Sequence, residues 1–123
     1  MSIKMTEQAK MAETAYAALD EKKGEDIKII QISEISVLAD YFIIASAGST
    51  LQVQALMNNV EEKMHKQGYQ LKRVEGTKNS SWVLIDYGDV VVHIFDREDR
   101  LFYDLERIWS DGIMIDPEQL GQD

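Results

Sequence analysis

The sequence predicts an α/β (α+β) fold, a mixed sheet of about five strands flanked by helices. Three observations lead there. Helical and strand-like periodicities follow one another in the order α-β-β-α-β-β-β-α. The apolar centre of residues 40–46 does not alternate, as in a strand buried on both faces. Gly88-Asp89 separates two β-branched runs, a hairpin signal.

The elements follow in order. Met5, Ala9, Ala12, Tyr16 and Leu19 recur at steps of four and three, which predicts a helix over residues 6–23. Lys22-Lys23 suit its negative end, and Gly24 is expected to take the left-handed conformation that closes it. Residues 27–31 are a β-branched strand, and residues 33–38 a connection with room for one helical turn. After the strand at 40–46, Ser49 starts a second helix with Gln52 in capping-box position. Val53, Leu56, Met57, Val60 and Met64 form its buried stripe, and Gly68 ends it. Residues 69–74 read as a strand and 75–81 as a polar loop. Strands at 82–86 and 90–95 make the hairpin, and a last helix is expected over 99–109. The strand–helix–strand unit at 41–74 favours one parallel or near-neighbour crossover. One domain is expected over residues 1–110, with a fraying tail at 111–123.

Composition excludes several chemistries. A chain of 123 residues, 45% hydrophobic and 28% charged, can bury one core. The absence of cysteine removes disulfides, thiolate nucleophiles and zinc–thiolate sites, and two histidines cannot make a three-histidine metal site. No cofactor is expected. The net charge of −9 lacks the basic surface of a nucleic-acid binder, so sequence-specific nucleic-acid binding is not expected. The acidity suits plain solubility or a basic partner. The longest apolar run, 41–45, is far short of the roughly 20 residues a membrane helix needs, and no apolar stretch follows Lys4. A cytoplasmic location and no membrane contact are expected.

The hairpin carries the sharpest local argument. A two-residue loop pairs even-numbered residues of the first strand with odd-numbered residues of the second. One face then holds Val83, Ile85, Tyr87, Val90, Val92 and Ile94 and must be core. The other holds Trp82, Leu84, Asp86, Val91, His93 and Phe95, mixing large apolar groups with a carboxylate and an imidazole. Two readings fit it. A helix covers it and Asp86 and His93 satisfy each other or the backbone, or it is a protein-binding surface.

Catalytic chemistry finds little support. Ser80 and Ser81 lack a nucleophile-elbow setting. Gly48-Ser49 stands between strand and helix, where phosphate can bind. The Asp-x-Asp pair that a two-metal nucleotidyltransfer site needs is missing, and Asp86 and Asp89 straddle a turn. A turn glycine and a helix cap describe Gly48 and Ser49 more simply.

Four stretches together are specific: Asp40-Tyr41-Phe42-Ile43-Ile44, Glu75-Gly76, the run from Trp82 through Phe95, and Phe102-Tyr103-Asp104-Leu105-Glu106-Arg107-Ile108-Trp109. In their order and spacing over roughly residues 5–110 the chain resembles the bacterial ribosomal silencing factors, the Iojap-like family. The resemblance implies a nucleotidyltransferase-like fold without the catalytic carboxylates, and no enzyme activity. It implies docking on the large ribosomal subunit through its protein numbered fourteen, steric blocking of small-subunit joining, repression of translation under nutrient limitation, and a homodimer when free. The family's tryptophan falls on Trp82, its strand-end aspartate on Asp86, its turn on Gly88-Asp89 and its histidine on His93. The expected partner-binding residues are Trp82, Leu84, Asp86, Tyr87 and His93. One departure stands out. The family's Thr-Gly-x-Ser-x-Arg is here Ser46-Ala47-Gly48-Ser49-Thr50-Leu51, which removes the arginine an anion site would use. The alternatives are a divergent nucleotidyl- or phosphoryl-transferase, or an adaptor for another basic protein.

Overall fold

The computed structural model describes residues 6–37, 39–76, 80–104, 107 and 109–117. Helix α1 is Glu7–Glu21, followed by strands β1 (Glu25–Gln31) and β2 (Tyr41–Ala47). Helix α2 is Thr50–Lys66, and strands β3 (Arg73–Glu75), β4 (Trp82–Asp86) and β5 (Val90–Asp96) follow. Helix α3 (Arg97–Tyr103) and strand β6 (Ile113–Ile115) are the last elements among the described residues. Among the described residues the sheet has six strands, in the order β3-β4-β5-β2-β1-β6. Only β2 and β5 run parallel as neighbours; the other adjacent pairs are antiparallel. The crossover through α2 therefore lands on the far edge at β3, and β2 meets its parallel neighbour β5 three strands later in the chain.

Local chemistry accounts for the helix ends. Thr6 caps α1 by accepting from the Ala9 N–H at 3.1 Å. At its far end Lys23, with φ 63°, takes the left-handed position expected of Gly24. Gly24 instead donates to Leu19 O and Lys23 to Asp20 O, the two bonds of a Schellman closure one residue early. Gly24 is needed for space, since a Cβ there would lie 3.1 Å from Leu19 O. Helix α2 closes in the same way, with Gly68 at φ 83° and the Tyr69 N–H on Met64 O.

Three expectations are corrected. The strand expected over 69–74 shrinks to β3, because Tyr69 is held by the helix closure and only the following segment reaches β4. The last helix starts at Arg97 rather than residue 99. The Asp96 carboxylate caps it through the Asp99 N–H at 2.8 Å, and Asp104 ends it in the left-handed region. Residues 105, 106 and 108 of the expected helix lie outside the described residues. The segment after Ser110 does not fray through 117: β6 pairs Ile115 with Ile29 and covers the edge of β1. Gly112 permits this approach, since a Cβ there would lie 2.5 Å from the Ile30 side chain.

The sheet has an apolar cluster on each face. Helices α1 and α2 pack Ala12, Leu19, Leu56, Val60 and Met64 against Ile29, Ile43, Ile85, Val92 and Ile94. Asn59, 4% exposed, ties the two helices by donating to Ala18 O at 2.7 Å. The opposite face holds Ile30, Ile32, Ala39, Phe42, Ile44, Val91 and Phe95, with Trp82, Leu84 and Trp109 packed at its border.

Candidate functional site

The hairpin turns at Gly88-Asp89. Trp82 pairs with Phe95, Leu84 with His93 and Asp86 with Val91. This is the even-to-odd register that the two-residue loop requires. All six residues of the expected core face lie in the helix-side cluster.

The mixed face is neither fully covered nor bare. Val91, His93 and Phe95 are buried, whereas Trp82, Leu84 and Asp86 are half-buried. The aromatic side chains form a layered base. The Trp82 ring stacks on Phe95 at 5.1 Å, and Phe42 meets His93 edge-on at 5.0 Å and Trp109 at 5.1 Å. The Trp82 indole N–H donates inward to His93 Nδ1 at 3.3 Å. A neutral His93 with Nδ1 as acceptor carries its proton on Nε2. That atom has no hydrogen-bond partner among the described residues. Burial pulls the His93 pKa down to about 4. His93 therefore supports Trp82 from beneath and does not present a polar group at the surface. Trp82 offers its outer ring edge and Leu84 its apolar side chain, both held by a rigid sheet.

Asp86 has structural work of its own. It accepts from the Gly88 N–H at 2.7 Å, closing the turn, and its other oxygen lies 3.4 Å from Arg73 Nε. Tyr87 leaves β4 on the opposite face, 4% exposed, within the helix-side cluster. The five expected binding residues thus divide. Trp82, Leu84 and Asp86 share one surface, His93 lies under it, and Tyr87 is on the far side of the sheet.

The start of α2 is occupied by its own side chains. Ser49 Oγ accepts from the Gln52 N–H at 3.1 Å, and Gln52 Oε1 accepts from the Gly48 N–H at 2.8 Å. The capping box reaches one residue further back than its usual form. Arg97 lies over Gly48 and pairs with both oxygens of Glu25, holding that carboxyl below its ordinary range. Sequence reasoning missed this pair, because its partners are 72 residues apart. It also missed Trp109, whose contact with Phe42 depends on the path of the chain after α3. No group of three or more histidine or acidic residues among the described residues could hold a metal ion. No described helix is long and apolar enough to cross a membrane.

Comparison with known proteins gives this geometry its context. Residues 5–123 match the family described as "Ribosomal silencing factor during starvation". The chain belongs to the ribosomal silencing factor family. It is 40% identical over 109 residues to the ribosomal silencing factor RsfS of Bacillus subtilis, covering 89% of this chain and 92% of that protein. It is 34% identical over 99 residues to the chloroplastic protein Iojap of Zea mays, covering 80% of this chain and 43% of that protein. A crystal structure of a Chromobacterium violaceum protein superposes with a TM-score of 0.83 at 36% identity, covering 85% of this chain and 88% of the other. One from Bacillus halodurans gives 0.77 at 36% identity, covering 87% and 97%. Ribosomal silencing factors are ribosome-associated regulators and not a known enzyme family.

Proposed function

We propose that this ribosomal silencing factor docks on the large ribosomal subunit through the surface formed by Trp82, Leu84 and Asp86. The partner is the subunit's protein numbered fourteen, and the bound factor sterically prevents the small subunit from joining. Translation is thereby repressed when nutrients are limited, in the cytoplasm. The observation that carries this reading is the half-covered pair Trp82–Leu84, set on a layered aromatic base within a family of this name. Large apolar groups on a rigid support, edged by a carboxylate, are the usual centre of a protein interface. The net charge of −9 favours association with a basic protein and makes its rate salt-sensitive.

The free protein self-associates weakly as a homodimer. Of the aromatic residues near the mixed face and the C-terminal helix, Phe95 is buried at 1% exposure and Trp109 is half-buried; the side chain of Tyr103 lies outside the described residues. What remains for a second copy to cover is the Trp82–Leu84–Trp109 border. Sedimentation equilibrium at high micromolar concentration tests this, and a pure monomer refutes it.

The docking test is co-sedimentation with purified large subunits through a sucrose gradient, followed by a subunit-joining assay. Wild type should co-sediment and block joining. Leu84→Lys changes a half-buried border residue and should lose both. A folded Leu84→Lys protein that binds and blocks like wild type overturns the reading.

A further inference from the structure

Tyr87 and Asp86 are consecutive, so their side chains leave the hairpin tip on opposite faces. On the Tyr87 side a cleft of about 530 Å³ opens between the second half of α2 and residues 69–71. Glu61, Glu62, His65, Tyr69, Leu71 and Tyr87 are among the residues that line it. Tyr87 is 4% exposed, with its ring in the core, yet its hydroxyl has no hydrogen-bond partner among the described residues. Glu61 is half-buried and likewise lacks a cationic partner among them. The nearby lysines have other partners, Lys63 with Glu21 at 3.5 Å and Lys66 with Glu62, at the cleft's rim, at 3.2 Å. Both unpartnered groups feel their isolation. Burial raises the Glu61 carboxyl, and burial together with the Glu61 charge pushes Tyr87 up to about 12. A carboxylate taken partly out of water without a cation is an incomplete arrangement.

The geometry points to a cation-binding cleft in which Glu61 and the Tyr87 hydroxyl hold an arginine or lysine side chain of the basic protein that docks on Trp82 and Leu84. This rests on the docking reading above and extends it around the hairpin tip. The cleft suits such a side chain in each part. Glu61 supplies the charge and Tyr87 an acceptor oxygen, while Tyr69 and Leu71 give the aliphatic stem apolar walls. The net charge of −9 favours a cationic occupant. A partner that grips the tip at Gly88 meets the Trp82 surface on one side and the Glu61 cleft on the other.

The test measures large-subunit affinity by co-sedimentation for wild type, Glu61→Gln, Tyr87→Phe and Trp82→Ala, with Glu34→Gln, an exposed acid outside the cleft, as control. Glu61→Gln should weaken binding about tenfold, the order expected for one charge-assisted contact, and should flatten its salt dependence. Tyr87→Phe should weaken it about threefold, and Glu34→Gln should bind as wild type. Glu61→Gln binding like wild type while Trp82→Ala fails to bind overturns the cleft and leaves the docking reading intact. If wild type does not bind subunits, the docking reading is what fails. A parallel titration of labelled protein with N-acetylarginine amide, followed by NMR, then decides the cleft. Shifts at Tyr69 and Tyr87 that vanish in Glu61→Gln support the cation site, and no shifts overturn it. Altered self-association of Glu61→Gln with unchanged subunit binding assigns the cleft to a second copy and overturns the proposal.

Discussion

Lowering the pH from about 7.5 to about 4.5 should weaken the fold through His93. Burial under Trp82 depresses its pKa from 6.5 to about 4. Below 6.5 the unfolded chain takes up a proton that the folded chain refuses. The stability contributed by neutral His93 is therefore complete above that value and drains away as the pH falls toward 4. At about pH 4.5 the unfolded imidazole is almost fully charged, while roughly three-quarters of the folded molecules keep it neutral. The difference is about 2.5 kcal/mol. Urea unfolding followed by tryptophan fluorescence at the two pH values measures it. Wild type is compared with His93→Gln, whose amide oxygen can still accept the Trp82 indole N–H. Carboxylates titrate in both proteins and cancel. Wild type should lose about 2.5 kcal/mol more than the variant on acidification. Equal losses would show that water or a counter-ion reaches His93 in the folded state, and the picture of a dry imidazole beneath Trp82 would be wrong.

Further outcomes are expected. Trp82→Ala removes a half-buried ring and should cost about 2 kcal/mol of stability by thermal unfolding, while the folded fraction loses subunit affinity roughly thirtyfold. Asp86→Asn should weaken binding less than Trp82→Ala, read in the same co-sedimentation assay. Gly76→Ala should destabilise the β3–β4 edge by about 2 kcal/mol in urea. Gly76 has φ 108°, and a Cβ would lie 2.7 Å from Trp82 O. Incubation with labelled nucleoside triphosphates, divalent metal and candidate acceptors should give no transfer. Turnover that disappears in Asp86→Asn would contradict the binding-protein reading.

Much of the hairpin was legible in the sequence. The Gly88-Asp89 step set the register, and the register set which residues share a face, because side chains alternate strictly along a strand. The two caps, Thr6 and Ser49, act within three residues of themselves, so the second was visible as a pattern. The closure of α1 was misplaced by one residue. Lysine tolerates the left-handed conformation there, while the constraint on Gly24 is the approach of Leu19 O.

The sequence by itself determined the fold class, the main elements and the separation of Trp82, Leu84 and Asp86 from the Tyr87 face, since these follow from composition and short-range periodicity. Only the tertiary structure decided the rest. It sets β2 beside β5, returns β6 to the β1 edge and joins Arg97 to Glu25. It also divides the mixed face by depth. His93 and Phe95 are buried in a second core, while Trp82 and Leu84 remain half open at its border. Depth depends on which distant segments arrive to cover a strand. The alternation of one strand says which way a side chain points, but not what stands above it.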